Sequence, residues 1–177
     1  MFIFVTGVAG CGKSALCGEL TSRGVAAHDA DDGISRHVSI AGGAEVQAPP
    51  RALQDQEWVA LHEFRFDLDR VRDLASQATP SDPVVLLGAA YGDDEVISMA
   101  GRSWYLDLDE GELRRRLAAR AAGSYGHAPH ELDAILAWHA AAAGRDESLG
   151  ARRLDATRPV AELADEILAA AATGISH

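Results

Sequence analysis

The sequence predicts a three-layer α/β sandwich in one domain, a mostly parallel sheet with helices on both faces. Two observations point there. Short apolar runs of strand length alternate along the chain with stretches whose apolar residues recur every three or four positions, the signature of strand–helix–strand units. The central run, Val84-Val85-Leu86-Leu87, is apolar at consecutive positions, which suits a strand covered on both faces. Strands joined by helical crossovers lie parallel, and their helices fall on the two faces of the sheet.

Each element has its own reason. Phe2 to Thr6 is short, β-branched and aromatic, and reads as a buried strand. Gly7 to Gly12 breaks it. A helix follows from Lys13 to Arg23, with Leu16 and Leu20 four apart. Val25 to His28 is a second strand, running into the acidic Asp29-Ala30-Asp31-Asp32, where Asp32 is expected to cap the next helix. Gly42 to Pro50 holds two glycines and two prolines and reads as a loop. Trp58, Leu61, Phe64, Leu68, Val71 and Ala75 then recur at steps of three or four, predicting one helix. Pro80 to Pro83 is a turn before the strand Val84 to Gly88. Asp93 to Ala100 reads as a helix, Ser103 to Leu108 as a strand, and Glu110 to Ala122 as an arginine-rich helix. Gly123 to Pro129 is a polar break, after which His130 to Ala143 resumes a helix. Arg152 to Ala156 is the last strand, and the helix from Pro159 to Ala172 has proline in its first turn.

Composition narrows the function classes. A chain of 177 residues with 47% hydrophobic and 24% charged residues is neither disordered nor low in complexity. The formal net charge is −11, a field that repels polyphosphate and argues against broad nucleic-acid binding. No apolar run approaches the roughly 20 residues that span a bilayer, and Met1 to Val5 is too short and uncharged for a secretory signal. Cys11 and Cys17 are six positions apart, about 9 Å along a helix and beyond disulfide reach. These features predict a cytoplasmic protein without a membrane partner, as monomer or homodimer.

Fifteen arginines accompany one lysine, Lys13, in a chain with 34 alanines. An ammonium is a compact point charge, whereas a guanidinium is a broad planar fork. A single lysine in such a chain marks a place where the fork does not fit.

That lysine lies in Gly7-Val8-Ala9-Gly10-Cys11-Gly12-Lys13-Ser14, which matches the phosphate-loop pattern G-x-x-x-x-G-K-[ST] between a strand and a helix. Glycines let backbone N–H groups turn inward around phosphate oxygens, and the following helix adds its unpaired N–H groups and dipole. Gly7, Gly10, Cys11, Gly12, Lys13, Ser14 and Ala15 are therefore candidate nucleotide-binding residues. Lys13 would reach the β- and γ-phosphates, and the Ser14 hydroxyl would ligate Mg²⁺.

With these residues in view, nearly the whole chain resembles the small P-loop kinases, the group that includes shikimate, gluconate and adenylate kinases. The resemblance rests on G-x-x-G-x-G-K-S, on Asp29-Ala30-Asp31-Asp32-Gly33-Ile34 (similar to D-x-D-x-x-I), on Arg116 and Arg120, and on Asp155-Ala156-Thr157-Arg158-Pro159. It implies a five-stranded parallel sheet, ATP and Mg²⁺ as cofactors, and a short lid at about 121–130. Asp29 would serve the Mg²⁺ water shell, and Asp31 would bind the acceptor hydroxyl and act as its base. Arg116 and Arg120, one helical turn apart, would neutralise charge on the transferring group, with Lys13 and Asp31 completing the catalytic set. Thr157, Arg158 and Pro159 would lie against the adenine. Arg114 and Arg115 read as a solvated face, and His127 and His130 as solvated loop residues.

The acceptor region should be 34–73. Trp58, His62 and Phe66 fall at i, i+4 and i+8, on one helical face beside Arg65, which could stack a ring and clamp an anion. Gly88 starts Gly88-Ala89-Ala90 where shikimate kinase has three glycines, so the resemblance names no acceptor. The leading expectation is an ATP-dependent kinase acting on a small-molecule hydroxyl. Alternatives are a nucleoside monophosphate kinase and a non-catalytic nucleotide-binding regulatory module.

Overall fold

The computed structural model of the chain describes residues 1–173. The elements run β1 (Phe2–Thr6), α1 (Lys13–Ser22), β2 (Ala26–Asp29), β3 (Ser35–Ser39), α2 (Gln56–Leu61), β4 (His62–Phe66) and α3 (Leu68–Gln77). They continue with β5 (Val84–Leu87), α4 (Asp93–Met99), β6 (Arg102–Asp107), α5 (Glu110–Ala118), α6 (Pro129–Ser148), β7 (Arg152–Asp155) and α7 (Val160–Thr173). The expected five-stranded sheet is present in the order β2-β5-β1-β6-β7, with every neighbouring pair parallel.

Strand geometry divides the core into two. Successive strand residues point to opposite faces, so Ile3 and Val5 of β1 join Leu16 and Leu20 of α1 and Leu163 and Ile167 of α7. Phe2 and Phe4 turn the other way, toward Val71 of α3, Val96 and Ile97 of α4 and Ala142 of α6. Ile3, Phe4 and Val5 are fully buried, each burial being worth roughly 1.5–3 kcal/mol before entropy is counted. This anchors β1 at the centre of the sheet and fixes where the glycine loop leaves it. Among the described residues no helix is long and apolar enough to cross a membrane.

The one helix expected from Trp58 to Ala75 is instead two helices with a strand between them. α2 stops at Leu61, β4 covers His62–Phe66, and α3 starts at Leu68. β4 pairs antiparallel with β3, Ser35 opposite Phe66 and Ser39 opposite His62. His62-Glu63-Phe64-Arg65-Phe66 satisfies period two as well as the i, i+4 steps, and pairing with β3 decides between them. Asp67 then caps α3 by accepting from the Asp69 and Arg70 amides, which starts a new helix there. Asp32 caps no helix, because a turn leads directly into β3. α5 ends earlier than expected, and α6 starts at Pro129 and outlasts Ala143 to reach Ser148.

Phe66 closes the hairpin onto the sheet. Its ring meets Phe4 edge-on at 5.6 Å and lies over Gly88. A Cβ on Gly88 would stand 2.4 Å from the Ala30 Cβ and 3.1 Å from Phe66 Cζ. Gly88→Ala should therefore destabilise the protein by about 1–3 kcal/mol through overpacking. Urea unfolding checks this, with a lower midpoint at an unchanged slope as the expected outcome.

Candidate active site

The glycine loop leaves β1 under close constraint. A Cβ on Gly7 would come within 2.8 Å of Cys11 Sγ and 3.0 Å of the Leu106 carbonyl oxygen. Gly12, the residue before α1, has φ 112° and provides no side-chain cap, so the first amides of α1 have no acceptor within the helix. Cys11 is buried, with its N–H on the Val8 carbonyl at 3.2 Å. The Lys13 ammonium lies back over the loop, donating to the Gly7 carbonyl at 2.5 Å and the Val8 carbonyl at 3.1 Å. One positive charge and a set of orphan amides thus share a single small hollow.

Ser14, one residue into α1, donates its hydroxyl proton to Asp29 Oδ2 at 2.9 Å. The other oxygen of Asp29 accepts the Asp31 amide at 3.2 Å. A hydroxyl from α1 and a carboxylate from the end of β2 therefore meet at one point, a donor set of hard oxygens that fits Mg²⁺ held partly through water. No cluster of three or more His, Cys, Asp or Glu gathers among the described residues. An ion at Ser14 and Asp29 would therefore complete its shell from nucleotide phosphates and water.

Asp31 follows in the turn after β2. Desolvation and the neighbouring Asp29 carboxylate push its pKa above the ordinary value, with Lys13 and Arg51 pulling the other way.

Arg116 and Arg120 diverge. Arg116 lies between the glycine loop and the loop after β7, donating to the Cys11 carbonyl at 3.2 Å and the Ala156 carbonyl at 2.9 Å. Arg120 lies past the end of α5 and donates to the Tyr125 carbonyl at 3.1 Å. Arg114 and Arg115 are exposed; Arg115 and Arg116 together hold the Glu112 carboxyl down at about 2. Thr157 turns inward on Asp155 through its N–H and hydroxyl at 2.9 and 2.6 Å. Arg158 is engaged away from the loop, with Glu162 and Glu166 of α7.

The acceptor-side residues are arranged otherwise than a helical face would have them. Trp58 lies on α2 and His62 opens β4, yet their rings stack at 4.4 Å, and His62 Nδ1 donates to the Trp58 carbonyl at 2.8 Å. His37 of β3 meets Trp58 edge-on at 4.9 Å. Burial, then Arg51 and His62, lower its pKa and favour the neutral ring. Phe66 belongs to the core, Arg65 is held by Glu63 at 2.6 Å, and Gly88 is pressed between Ala30 and Phe66.

Two residues not singled out in the sequence tie down the segment expected to be a lid. Glu131 is 7% exposed and accepts from the Gly126 and Ala128 amides at 2.9 and 3.3 Å. Arg51 pairs with Glu131 at 3.1 Å and lies over the Tyr125 ring at 5.0 Å. Glu131 had one local signal, its place three residues after the helix start; Arg51 had none. His127 is exposed, whereas His130 is half-buried inside α6, not a solvated loop residue.

No family model matches the chain, and no curated protein matches it in sequence. Solved structures do match in fold. A shikimate kinase from Acinetobacter baumannii, in complex with shikimate, aligns with TM-score 0.64 at 14% identity over 99% of this chain and 95% of its own. A sugar kinase from Janibacter, unliganded, aligns with TM-score 0.56 at 18% identity, over 99% and 98% of the two chains. A gluconokinase from Sinorhizobium meliloti aligns with TM-score 0.54 at 22% identity, over 97% and 91%. The chain has the fold of the small P-loop kinases.

The raised pKa of Asp31 has a measurable consequence. Its charge is less favourable folded than unfolded, so ionisation lowers stability, and the penalty is complete above the folded pKa. Asp31→Asn should raise the melting temperature at neutral pH. The gain should vanish as pH falls through the folded pKa to the ordinary carboxylate value, which parallel thermal melts of the two proteins measure.

Proposed function

We propose that the protein is an ATP-dependent phosphotransferase that moves the γ-phosphoryl group to a hydroxyl of a small molecule. The observation that carries the reading is the row Ser14–Asp29–Asp31 beside the glycine loop: the Ser14 hydroxyl on Asp29 at 2.9 Å, the Asp31 amide on Asp29 at 3.2 Å, and an Asp31 carboxylate near enough to feel the charges of Asp29 and Lys13. A loop that only holds phosphate has no use for a second carboxylate at its edge. A loop that transfers phosphate to an alcohol does.

The amides from Gly10 to Ala15 and the Lys13 ammonium hold the phosphate tail, and Arg116 adds positive charge from the lid side. Ser14 and Asp29 would hold Mg²⁺, which when bound neutralises charge on the phosphates. Thr157 to Pro159 would border the adenine. Asp31 accepts the proton of the acceptor hydroxyl as its oxygen bonds to the γ-phosphorus. The bond from that phosphorus to the bridging oxygen breaks, and ADP leaves with the electron pair. The raised pKa of Asp31 moves it toward the range in which a carboxylate is an effective base. The segment 121–128, tied through Glu131 and Arg51, would close over the reaction and exclude water.

The test is acceptor-stimulated ADP release against a panel of alcohols, sugars and hydroxy acids. Lys13→Ala should abolish turnover, and Asp31→Asn should lower kcat by roughly 100- to 10,000-fold. Full activity in Asp31→Asn would instead favour an acceptor that is already a phosphate and needs no base. Nucleotide binding without turnover on any compound would sink the phosphotransferase reading.

A further inference from the structure

The arginines around the acceptor side are held by carboxylates. Arg51 pairs with Glu131 at 3.1 Å, Arg65 with Glu63 at 2.6 Å, and Arg36 with Asp67 at 2.8 Å. Arg145 on α6 binds two, Asp93 at 2.5 Å and Asp146 at 2.8 Å. Asp93 and Asp146 are 3% and 1% exposed. Drawing Arg145 away to another anion would strand two buried carboxylates, a strongly unfavourable change.

Arg145 also lines a cleft of about 510 Å³, with Tyr91, Asp94, Trp138, Ala141 and Leu149 among the other walls. That volume suits a small organic molecule. Tyr91 is 54% exposed, and its ring centre lies 6.1 Å from that of Trp138 at an angle of 42°. Two aromatic faces therefore border a cavity whose one cation is already neutralised and whose other charged walls are acidic.

The cleft opens at the carboxyl end of the sheet. Leu87 of β5 is opposite Asp29 of β2, so the segments that carry Tyr91 and Asp31 both follow the carboxyl ends of neighbouring strands, where ligands of open α/β sheets bind. Tyr91 is pinned there by its N–H on the Phe64 carbonyl at 2.9 Å and by the Phe66 N–H on its own carbonyl at 3.0 Å.

We propose that this cleft seats the phosphoryl acceptor, and that the acceptor is an uncharged or cationic alcohol carrying a ring; the inference rests on the phosphotransferase reading above. The ring packs against Tyr91 and Trp138. A cationic substituent gains from the aromatic faces and from Asp94. A carboxylate or phosphate finds no unpaired arginine and meets Asp94 with the same sign of charge. Sugar acids and nucleoside monophosphates are thereby disfavoured as acceptors.

Three compounds that share one ring and one benzylic hydroxyl separate these cases: phenylethanolamine, phenylethylene glycol and mandelate, which are cationic, neutral and anionic. Isothermal titration calorimetry with the intact protein should give binding of the first two about tenfold tighter than that of mandelate. Tyr91→Ala should weaken both by about three- to tenfold, with Tyr91→Phe retaining most of the affinity. Because Tyr91 is largely exposed, both variants should fold, which a thermal melt verifies. Equal or tighter binding of mandelate, no effect of Tyr91→Ala, or no binding by any of the three overturns the proposal. A parallel titration with MgATP keeps the two readings apart. Discrimination among the three without MgATP binding sinks the phosphotransferase and leaves a site for ring-bearing alcohols; MgATP binding with mandelate preferred sinks only the substrate class.

Discussion

The hydrogen bond from Ser14 to Asp29 is the point on which the rest of the structure converges. β2 and β1 are not neighbours, since β5 lies between them, yet the two side chains approach to 2.9 Å. That contact requires α1 to cross β5 at a set angle and height. Leu16 and Leu20, both fully buried, hold the helix in place, and the fully buried Ile3 and Val5 beneath them hold β1. Packing on one face of the sheet thus aligns a hydroxyl and a carboxylate at its edge. Because packed interiors transmit small shifts, substitutions in that face should be felt at the site even where they touch no ligand.

An anion at the glycine loop would bind against the molecule's own charge. With a formal net charge of −11, the long-range field opposes phosphate, and attraction has to be built locally. Amides at the start of α1 and a lone ammonium would supply it, and Arg116 of α5, itself paired with Glu112 at 2.7 Å, reaches the loop at the Cys11 carbonyl. Most other arginines are bound to carboxylates, as pairs along α5 and α7 and across the acceptor side. Exposed pairs of this kind contribute little to stability. Their larger effect is to cancel positive charge over much of the surface, leaving Lys13 as the charge that lies directly on the loop.

The segment before α6 and the stretch between β3 and α2 are linked through one arginine. Arg51 belongs to the stretch between β3 and α2, yet its guanidinium lies on the Tyr125 ring and the Glu131 carboxylate. Glu131 in turn holds two amides of the segment that would cover the nucleotide. Asp31 and His37 both feel the charge of Arg51. One side chain thus touches the 125–131 segment and sets part of the field at Asp31 and His37.

Much of this was legible in the residues. The five sheet strands, the phosphate loop and the carboxylates after β2 announce themselves by local composition and spacing, because each depends on near neighbours in the chain: apolar runs, glycines at fixed offsets, a lysine where no other occurs. The strands Ser35–Ser39 and His62–Phe66 were not legible, because the second fits two periods equally. Only pairing with β3 and the packing of Phe66 against Phe4 and Gly88 made them a hairpin. Nor could the pairing of Arg51 with Glu131, or of Arg145 with Asp93 and Asp146, be read in advance. Those partners lie far apart in sequence, and an ion pair between distant residues leaves no periodic trace. The sequence by itself determined a strand-and-helix sandwich with a phosphate-holding loop. Tertiary structure decided which charges are paired and which side chains gather beyond the carboxyl end of the sheet, because both depend on distances that only the folded chain brings about.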